Sequence, residues 1–303
     1  MFIVWRSDPS AVVAATRGAR LSWLAVAVAL VLVDRSLMAY RWLVLVRVFD
    51  SPARLPLLSI LRVFFVSTFV GTFLPASVGS DAIRAYGLTR LRASGATSVA
   101  SVLMDRLLGV LSLLVVTVAG LCFARDLVRN AAVVGALGMA AAVCGVALSA
   151  VYSERVARFA GRVLTIIPSD AAGRVARNLV GAVRAYATRH GALANALGGS
   201  IAVQLVRVAQ AYALGLSLGL SLPFTVYLAF VPLILLVMLL PISIYGLGTS
   251  QLAFAALFAR AGVPAGEAVA LSLLFVGLGI VGNLPGAMLY VTGGRQRPTE
   301  AVG

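Results

Sequence analysis

The stretch FLPASVGSDAIRAYGLTRLRASGATSVASVLMDRLLG, residues 73–109, decides the fold of this chain. A long apolar run breaks there at Pro75, and a turn of small residues leads directly to Asp81 and Arg84. A second apolar run follows and carries the pair Asp105-Arg106 inside it. Because a broken helix and buried charges are costly within a bilayer, this combination is typical of a polar path or a ligand site in a membrane.

The composition around this stretch is that of a membrane protein. Hydrophobic residues make up 61% of the 303 residues and charged residues only 12%, and the mean hydropathy is +1.02. Soluble domains have about 25% charged residues. Several runs reach the roughly 20 apolar residues that cross a bilayer. We therefore predict an all-α, polytopic integral membrane bundle in which residues 1–303 form a single transmembrane domain.

The chain is strongly basic, with a net charge of +15, and all 25 basic residues are arginine. Basic residues in short loops indicate the cytoplasmic side of the membrane and anionic lipid surfaces. Nucleic acid is a poor partner, because the arginines are dispersed rather than gathered in one patch with stacking aromatics. In residues 152–190, Arg155, Arg158 and Arg162 recur at helical spacing. This predicts a cytoplasmic, basic amphipathic segment that either orients the chain or recruits anionic lipid.

Residues that carry enzyme chemistry are scarce. Cys122 and Cys144 lie in separate apolar runs and are predicted to be small buried residues, and their spacing fits no metal site. The single histidine, His190, ends the basic segment. The sequence contains no nucleophile–base–orienter set, no Walker-type loop and no two-metal carboxylate cluster. We therefore expect no enzymatic activity, no catalytic residues, no bound metal and no cofactor.

The distribution of arginine predicts how the chain crosses the membrane. The first span is predicted at Leu21–Tyr40, with Asp34-Arg35 and Trp42 close to the membrane interface. The apolar run Leu55–Leu74 has arginines on both flanks, so both of its ends are predicted to be cytoplasmic. A run with both ends on one side is a re-entrant hairpin rather than a span. The later runs alternate in direction and the tail is predicted to be cytoplasmic.

An internal repeat accompanies this topology. Residues 73–78 and 239–244 share an apolar run, Leu-Pro-x-Ser and a β-branched residue, with a glycine shortly after. Each copy is followed by a short helical run, a small-residue turn and a long apolar run. Because the second copy follows an outward span, its hairpin is predicted to enter from outside. Two inverted hairpins that break near the midplane are a recurring device of transporters.

The candidate binding residues lie at these two breaks and inside the spans. A helix that starts near Gly79 would direct its positive end at an anion, and the Arg84 guanidinium could donate two hydrogen bonds to a phosphate. The alternative is an Asp81–Arg84 pair that only stabilises the helix start. Small residues at the second break either line a path or allow close helix packing. The substrate-binding candidates are Ser77, Gly79, Asp81, Arg84, Asp105, Arg106, Arg207, Ser243, Gly246, Gly248 and Gln251.

Among these candidates, the adjacent charges Asp105 and Arg106 have the strongest need for a polar partner. Neighbours on a helix point in different directions, so each needs a partner from another segment or a watery cavity. The predicted partners are Asp81, Arg84, Gln204 and Arg207. A purely structural network of buried charges is the alternative to a functional role.

Four stretches together resemble a known family: residues 73–90, residues 101–109, PISIYGLGTSQ at 241–251 and GNLPGAMLYV at 282–291. They resemble the flippase-like family, which includes the membrane domain of lysyl-phosphatidylglycerol synthase. The resemblance covers about residues 22–292. Relative to the family, the chain is expected to lack one N-terminal span and to have no aminoacyltransferase domain after Val291.

The family's motifs fall on particular positions of this sequence. Its first motif and its Asp-Arg pair fall on Pro75, Gly79, Asp81, Arg84 and Asp105-Arg106, with Ser80 in place of a glycine. Its second motif falls on Pro241, Ser243, Gly246 and Gly248, with Tyr245 where a glycine is usual. The family often has Arg-Glu where this chain has Ser250-Gln251. The second motif of this chain thus lacks the two charged residues that the family often has there.

The resemblance implies a lipid translocase in the cell membrane. It would move an anionic or aminoacylated phospholipid, or a lipid-linked headgroup, between leaflets, and membrane phospholipids would be its partners. One alternative is a non-transporting scaffold or assembly factor that partners an enzyme of envelope lipid or glycan synthesis. A further alternative is an intramembrane enzyme with Asp81 or Asp105 as base, which the missing nucleophile makes less favourable.

Overall fold

The computed structural model describes residues 18–49, 55–74, 78–91, 93–123, 131–153, 155, 170–239 and 246–293. Their regular secondary structure is entirely helical, with no strand in these ranges. The helices are α1 (Leu21–Arg47), α2 (Leu57–Gly71), α3 (Val78–Arg90), α4 (Gly95–Leu121), α5 (Ala131–Tyr152), α6 (Asp170–Arg184), α7 (His190–Ser217), α8 (Phe224–Met238), α9 (Thr249–Phe258), α10 (Ala265–Val281) and α11 (Leu284–Gly293). Short 3-10 turns follow α6 at Ala185–Thr188 and α9 at Ala259–Ala261.

Within the described residues, four helical segments are long and apolar enough to cross a bilayer. They are α1, α4, α7 and the segment Ala265–Thr292, which comprises α10 and α11. This confirms the predicted all-helical membrane fold. The first segment is longer than predicted, because α1 continues for 27 residues to Arg47.

The extra length of α1 places Trp42 inside the helix. Trp42, which was predicted near the membrane interface, is fully buried against other helices. Its ring packs against Phe64 of α2, with 6.1 Å between the ring centroids. Of the two cysteines, Cys144 is buried as predicted, whereas Cys122 at the end of α4 is exposed.

Three long helices form the centre of the bundle. Helix α1 runs antiparallel to α7: the Arg20 amide donates to the Ser217 carbonyl at one end (2.8 Å), and Arg41 donates to Ser200 towards the other (3.1 Å). Helix α4 packs beside both, because Arg41 also bonds Asp105 and the Gln204 amide faces Gly109. These contacts give α4 and α7 the same direction, as the predicted alternation of spans requires.

Helices α2 and α3 form an antiparallel pair that packs closely. A side chain at Gly71 near the end of α2 would collide with Ser80 at the start of α3. At the other end of the pair, a Cβ at Gly87 would lie 2.7 Å from a methyl of Val63. The pair therefore depends on small residues at both crossings.

Helices α8 and α9 form a second pair at the opposite end of the bundle. Helix α2 follows the C-terminal end of α1, whereas α8 follows the C-terminal end of α7 and packs Tyr227 against Gly215. Because α1 and α7 are antiparallel, the two pairs begin at opposite ends. The order helix, break, helix, long helix recurs in α2–α4 and in α8–α10, although the repeated prolines Pro75 and Pro241 lie outside the described residues.

The basic segment contributes a helix to the side of the bundle. Helix α6 packs against α4 and α5, burying Ala182 while Arg174 and Arg177 stay exposed. The predicted Arg158 and Arg162 lie outside the described residues. Tyr186, in the turn after α6, is buried and donates to the Leu45 carbonyl (3.0 Å). Burial raises the pKa of Tyr186, so its hydroxyl keeps the proton that it donates.

Candidate functional site

A central cavity of about 320 Å³ lies among α1, α2, α3, α4, α7, α8 and α10. Most of its wall is apolar, but charged side chains from four helices reach it. The charged lining residues are Asp34, Arg35, Arg41, Arg84, Asp105, Arg106 and Arg207. The wall therefore contains more guanidinium groups than carboxylates, deep within an apolar bundle.

Asp105 is a buried carboxylate in α4 and bonds to two arginines. One of its oxygens accepts from Arg41 Nε (2.7 Å) and the other from Arg84 Nη1 (3.1 Å). Asp105 is only 3% exposed, and both arginines are buried. Because a buried charge needs a partner, the three side chains stabilise one another only as a set. The prediction that Asp105 pairs with another segment is confirmed.

Arg84 of α3 is held by aromatic rings as well as by Asp105. Its guanidinium carbon lies 5.3 Å from the ring centroid of Trp42 and 4.7 Å from that of Phe64. Such cation–π contacts restrict the plane of the guanidinium. Arg84 Nε has no hydrogen-bond partner among the described residues. The side chain is thus fixed in place with one donor still available.

Arg106, the neighbour of Asp105, pairs with Asp81. Its Nε and Nη2 donate to the two Asp81 oxygens at 2.7 and 2.8 Å, which is a bidentate pair. This pair is less buried than the first, with side-chain exposures of 37% for Arg106 and 19% for Asp81. The alternative interpretation, in which Asp81 and Arg84 pair with each other, is wrong: the two bond to Arg106 and Asp105 respectively.

A third cluster surrounds Asp34 near the middle of α1. Asp34 accepts from Arg35 (2.8 Å) and from Arg207 of α7 (2.9 Å). Arg35 also donates to the Gly279 carbonyl of α10 (3.0 Å). Asp34 lies thirteen residues into α1, about 20 Å from its start. Asp34 and Arg35, which were predicted near the membrane interface, thus lie in the middle of the long helix α1, and Arg207 lies on the cavity wall.

The residues that flank the two helix breaks face the same cavity. Leu74 and Ser80 line it from the first break, and Met238, Leu239 and Gly246 line it from the second. Gly246 has a φ of +77°, which favours glycine. Of the predicted site residues, Ser77 and Ser243 lie outside the described residues.

Four other predicted site residues are not part of the cavity wall as described: Gly79, Asp81, Gly248 and Gln251. Asp81 is connected to the wall only through its pair with Arg106. Gly79 packs against the side chain of Leu74. The side-chain oxygen of Gln251, Oε1, accepts from the Gly248 backbone amide (2.5 Å) and from the Ser250 hydroxyl (3.1 Å). This arrangement caps the start of α9, and Gly248 with a φ of +90° provides the turn. Gln251 and Gly248 thus have a structural role.

Several cavity residues were missed in the sequence. Asp34 and Arg35 were predicted near the membrane interface, at the end of a shorter span, and Arg41 and Asn283 were not among the candidates. Asn283 separates α10 from α11, lines the cavity and donates to Thr72 (2.8 Å). The signal that could have found these residues is the one used for Asp105: a polar side chain within an apolar run.

Comparison with known proteins agrees with this architecture. A search of curated proteins and a search of solved structures found no match to the chain. The sequence model of one family, described as the lysylphosphatidylglycerol synthase TM region, matches residues 1–286. With four helical segments able to span a bilayer, this chain is a multi-pass integral membrane protein that belongs to the lysylphosphatidylglycerol synthase TM region family.

Proposed function

We propose that this chain is a lipid translocase of the cell membrane. It moves the headgroup of an anionic or aminoacylated phospholipid, or of a lipid-linked precursor, between leaflets through the central cavity. One observation carries the proposal: a cavity inside a membrane bundle has a wall rich in arginine and is bordered by both helix breaks. Ionisable residues within a membrane are by default a functional site.

The arrangement of the helix pairs supports access from either leaflet. The pairs α2–α3 and α8–α9 begin at opposite ends of the bundle, and the residues next to their breaks border the cavity. We propose that both pairs re-enter the membrane, one from each side. Small movements of either pair would then open the cavity to one leaflet at a time, as in transporters with inverted repeats.

The ion pairs allow the headgroup to bind reversibly. A phosphate that approaches Arg84 shares its guanidinium with Asp105, which stays paired with Arg41. The positive charge of Arg84 is then divided between two anions, and it returns to Asp105 alone when the phosphate leaves. The carboxylate therefore prevents the headgroup from binding too tightly to be released.

The chemistry of the wall favours transport over catalysis. No histidine or cysteine lines the described part of the cavity, and its carboxylates are engaged by arginines. An acid–base or nucleophilic mechanism needs a group with a proton to take or give next to the reacting bond. We propose that the cavity binds and guides a headgroup without changing it covalently.

The test measures how fast a fluorescent phosphatidylglycerol changes leaflet in vesicles that contain the purified protein. A quencher added outside the vesicles reports the fraction of fluorescent lipid in the outer leaflet. The wild type should accelerate reorientation. Arg84→Gln should slow it by about tenfold or more, since a hydrogen bond to a charged group is worth about 1.5–3 kcal/mol. Arg90→Gln is the matched control, because Arg90 is exposed at the end of the same helix.

Two outcomes would reject the proposal. Equal rates of lipid reorientation for Arg84→Gln and Arg90→Gln would show that the lipid does not pass through the cavity. A wild-type protein that moves no lipid but co-purifies with an enzyme of envelope lipid or glycan synthesis would indicate a scaffold instead.

A further inference from the structure

We infer that the central cavity takes a phosphate headgroup with neutral hydroxyl groups, and that it discriminates against headgroups that carry an ammonium group. This inference rests on the proposed function, because it names the class of headgroup that the same cavity would take. It follows from three properties of the described cavity residues: the excess of positive charge, the engagement of every carboxylate, and two buried glutamines with unpartnered amide atoms.

The charge of the wall favours an anion. Five guanidinium groups face three carboxylates, if Asp81 is counted as the partner of Arg106. Two positive charges are therefore in excess. In the sequence, residues 75–77 and 240–245, which connect the helices of the two pairs, contain no charged residue that could offset them. A phosphodiester reduces this excess, whereas an ammonium group adds to it.

The carboxylates offer no site for an ammonium group. Asp34 is bonded to Arg35 and Arg207, and Asp105 to Arg41 and Arg84. Asp81 is held by both donors of the Arg106 fork. A cationic headgroup would have to displace an arginine, which would then be a buried charge without a partner. Among the described residues, the cavity has no carboxylate outside such a pair.

Arg84 supplies the donor for the phosphate. Its Nε is without a partner in the described structure although the side chain is 3% exposed. The stacking rings of Trp42 and Phe64 hold the guanidinium in position. A phosphate oxygen can therefore bind Nε while Nη1 stays on Asp105.

Two glutamines on α7 supply the polar groups for hydroxyls. Gln204 and Gln210 line the cavity, and each is only 4% exposed. The Gln204 nitrogen faces the Gly109 carbonyl and the Ser112 hydroxyl, both at 3.5 Å, so its oxygen is left as an acceptor. That oxygen and the Gln210 nitrogen have no partner among the described residues.

The unpartnered Gln204 oxygen and Gln210 nitrogen suit a headgroup that carries hydroxyl groups. The Gln204 oxygen cannot bind a phosphate oxygen, because both are acceptors, but it can accept from a hydroxyl. The Gln210 nitrogen can donate to a second hydroxyl, since the two residues are about 9 Å apart along the helix. Buried polar atoms without partners are costly, so a ligand that satisfies both gains affinity. Glycerol and small cyclic polyols present hydroxyls of this kind.

The size of the cavity limits the headgroup. Pockets for small ligands are about 300–1,000 Å³, and this cavity, at about 320 Å³, lies at the lower end. It suits a phosphate with one small polyol rather than a long oligosaccharide.

The test is equilibrium binding to the full chain in phosphatidylcholine nanodiscs, with short-chain lipids as probes. Phosphatidylglycerol and phosphatidylmethanol have the same charge, but only the first has headgroup hydroxyls. Phosphatidylglycerol should bind about tenfold more tightly, as expected of two neutral hydrogen bonds. Phosphatidylethanolamine and lysylphosphatidylglycerol, which carry ammonium groups, should bind more weakly than either.

Substitution of the two glutamines separates the loss of hydroxyl contacts from a general loss of lipid affinity. In Gln204→Met/Gln210→Met, which keeps the shape of both side chains, the affinity for phosphatidylglycerol should fall to that for phosphatidylmethanol. Asn195→Met is the matched control, because Asn195 is an exposed amide on the same helix. If the double variant does not fold, the wild-type comparison of the two anionic lipids decides the question.

The outcomes distinguish this inference from the proposed function. Equal affinity of the wild type for the two anionic lipids, or tighter binding of an ammonium lipid, would overturn the inference even if lipid is still translocated. Selective binding without reorientation would support the headgroup class and reject translocation. Free glycerol phosphate that competes as strongly as the lipid would overturn the assignment to a membrane lipid.

Discussion

Asp105 illustrates how a single buried carboxylate organises the cavity. It connects α4 to α1 through Arg41 and to α3 through Arg84, and Arg41 extends the connection to Ser200 of α7. Four helices thus meet at one side chain. Because the three ionised groups are buried, the geometry around Asp105 has little freedom to vary.

Asp105→Asn should therefore destabilise the protein more than Asp81→Asn. The first substitution removes the charge that neutralises two buried guanidinium groups, for which we expect a loss of about 3–5 kcal/mol. The second breaks a partly exposed pair, for which about 1 kcal/mol or less is expected. The free energy of unfolding in mixed detergent micelles measures both. Equal losses would show that Asp105 has no special role in the packing.

The pairing of these charges was partly predictable at the level of single residues. A charge in the middle of an apolar run must find a partner, and four candidates were predicted for Asp105 and Arg106. Asp81 and Arg84 are such partners, whereas Gln204 and Arg207 bond elsewhere. The same rule applies to Asp34, but the first span was predicted to be too short, which moved Asp34 to the interface. Gln251 was assigned by motif, and a motif does not distinguish a helix cap from a ligand contact.

At the level of helices, close packing determines how α11 lies on α2. A side chain at Gly286 of α11 would collide with the carbonyl oxygen of Phe65 in α2. Nearby, Asn283 bonds Thr72 at the end of α2. The tight contact keeps the break between α10 and α11 beside the first helix pair, and so keeps Asn283 on the cavity wall.

Gly286→Ala should destabilise the bundle even though alanine favours helices. The added methyl meets backbone, which cannot rotate away, and overpacking of this kind costs about 1–3 kcal/mol. Gly277→Ala is the matched control on α10, because no other atom lies within 4 Å of a Cβ at that position. It should be neutral or stabilising by up to about 1 kcal/mol. Thermal unfolding of both variants tests this, and a stable Gly286→Ala would contradict the close contact.

The existence and order of the helices could be predicted from the sequence, but their neighbours could not. Proline followed by small residues marked the breaks before α3 and α9, because proline lacks the backbone donor that continues a helix. Proline alone does not suffice, since Pro232 lies within α8. Which helices pack together depends on shape, and apolar runs of similar composition have little to distinguish them. The contact of α11 with α2, which are more than two hundred residues apart in the chain, is of this kind.

At the level of the whole molecule, the antiparallel arrangement of α1 and α7 gives the two halves opposite orientations. The predicted alternation of spans rests on the positive-inside rule, and the relative directions of α1, α4 and α7 agree with it. It follows that the link between α3 and α4 and the link between α7 and α8 should lie on opposite sides of the membrane.

Labelling of single cysteines tests this arrangement directly, in a background without Cys122 and Cys144. Arg90 at the end of α3 and Ser221 in the link before α8 are both exposed. Arg90→Cys should react with a membrane-impermeant maleimide only after the cells are opened, because its arginine-rich surroundings are expected in the cytoplasm. Ser221→Cys should react in intact cells. If both positions react from the same side, the two helix pairs cannot be inverted, and a shared cavity reached from both leaflets would have to be abandoned.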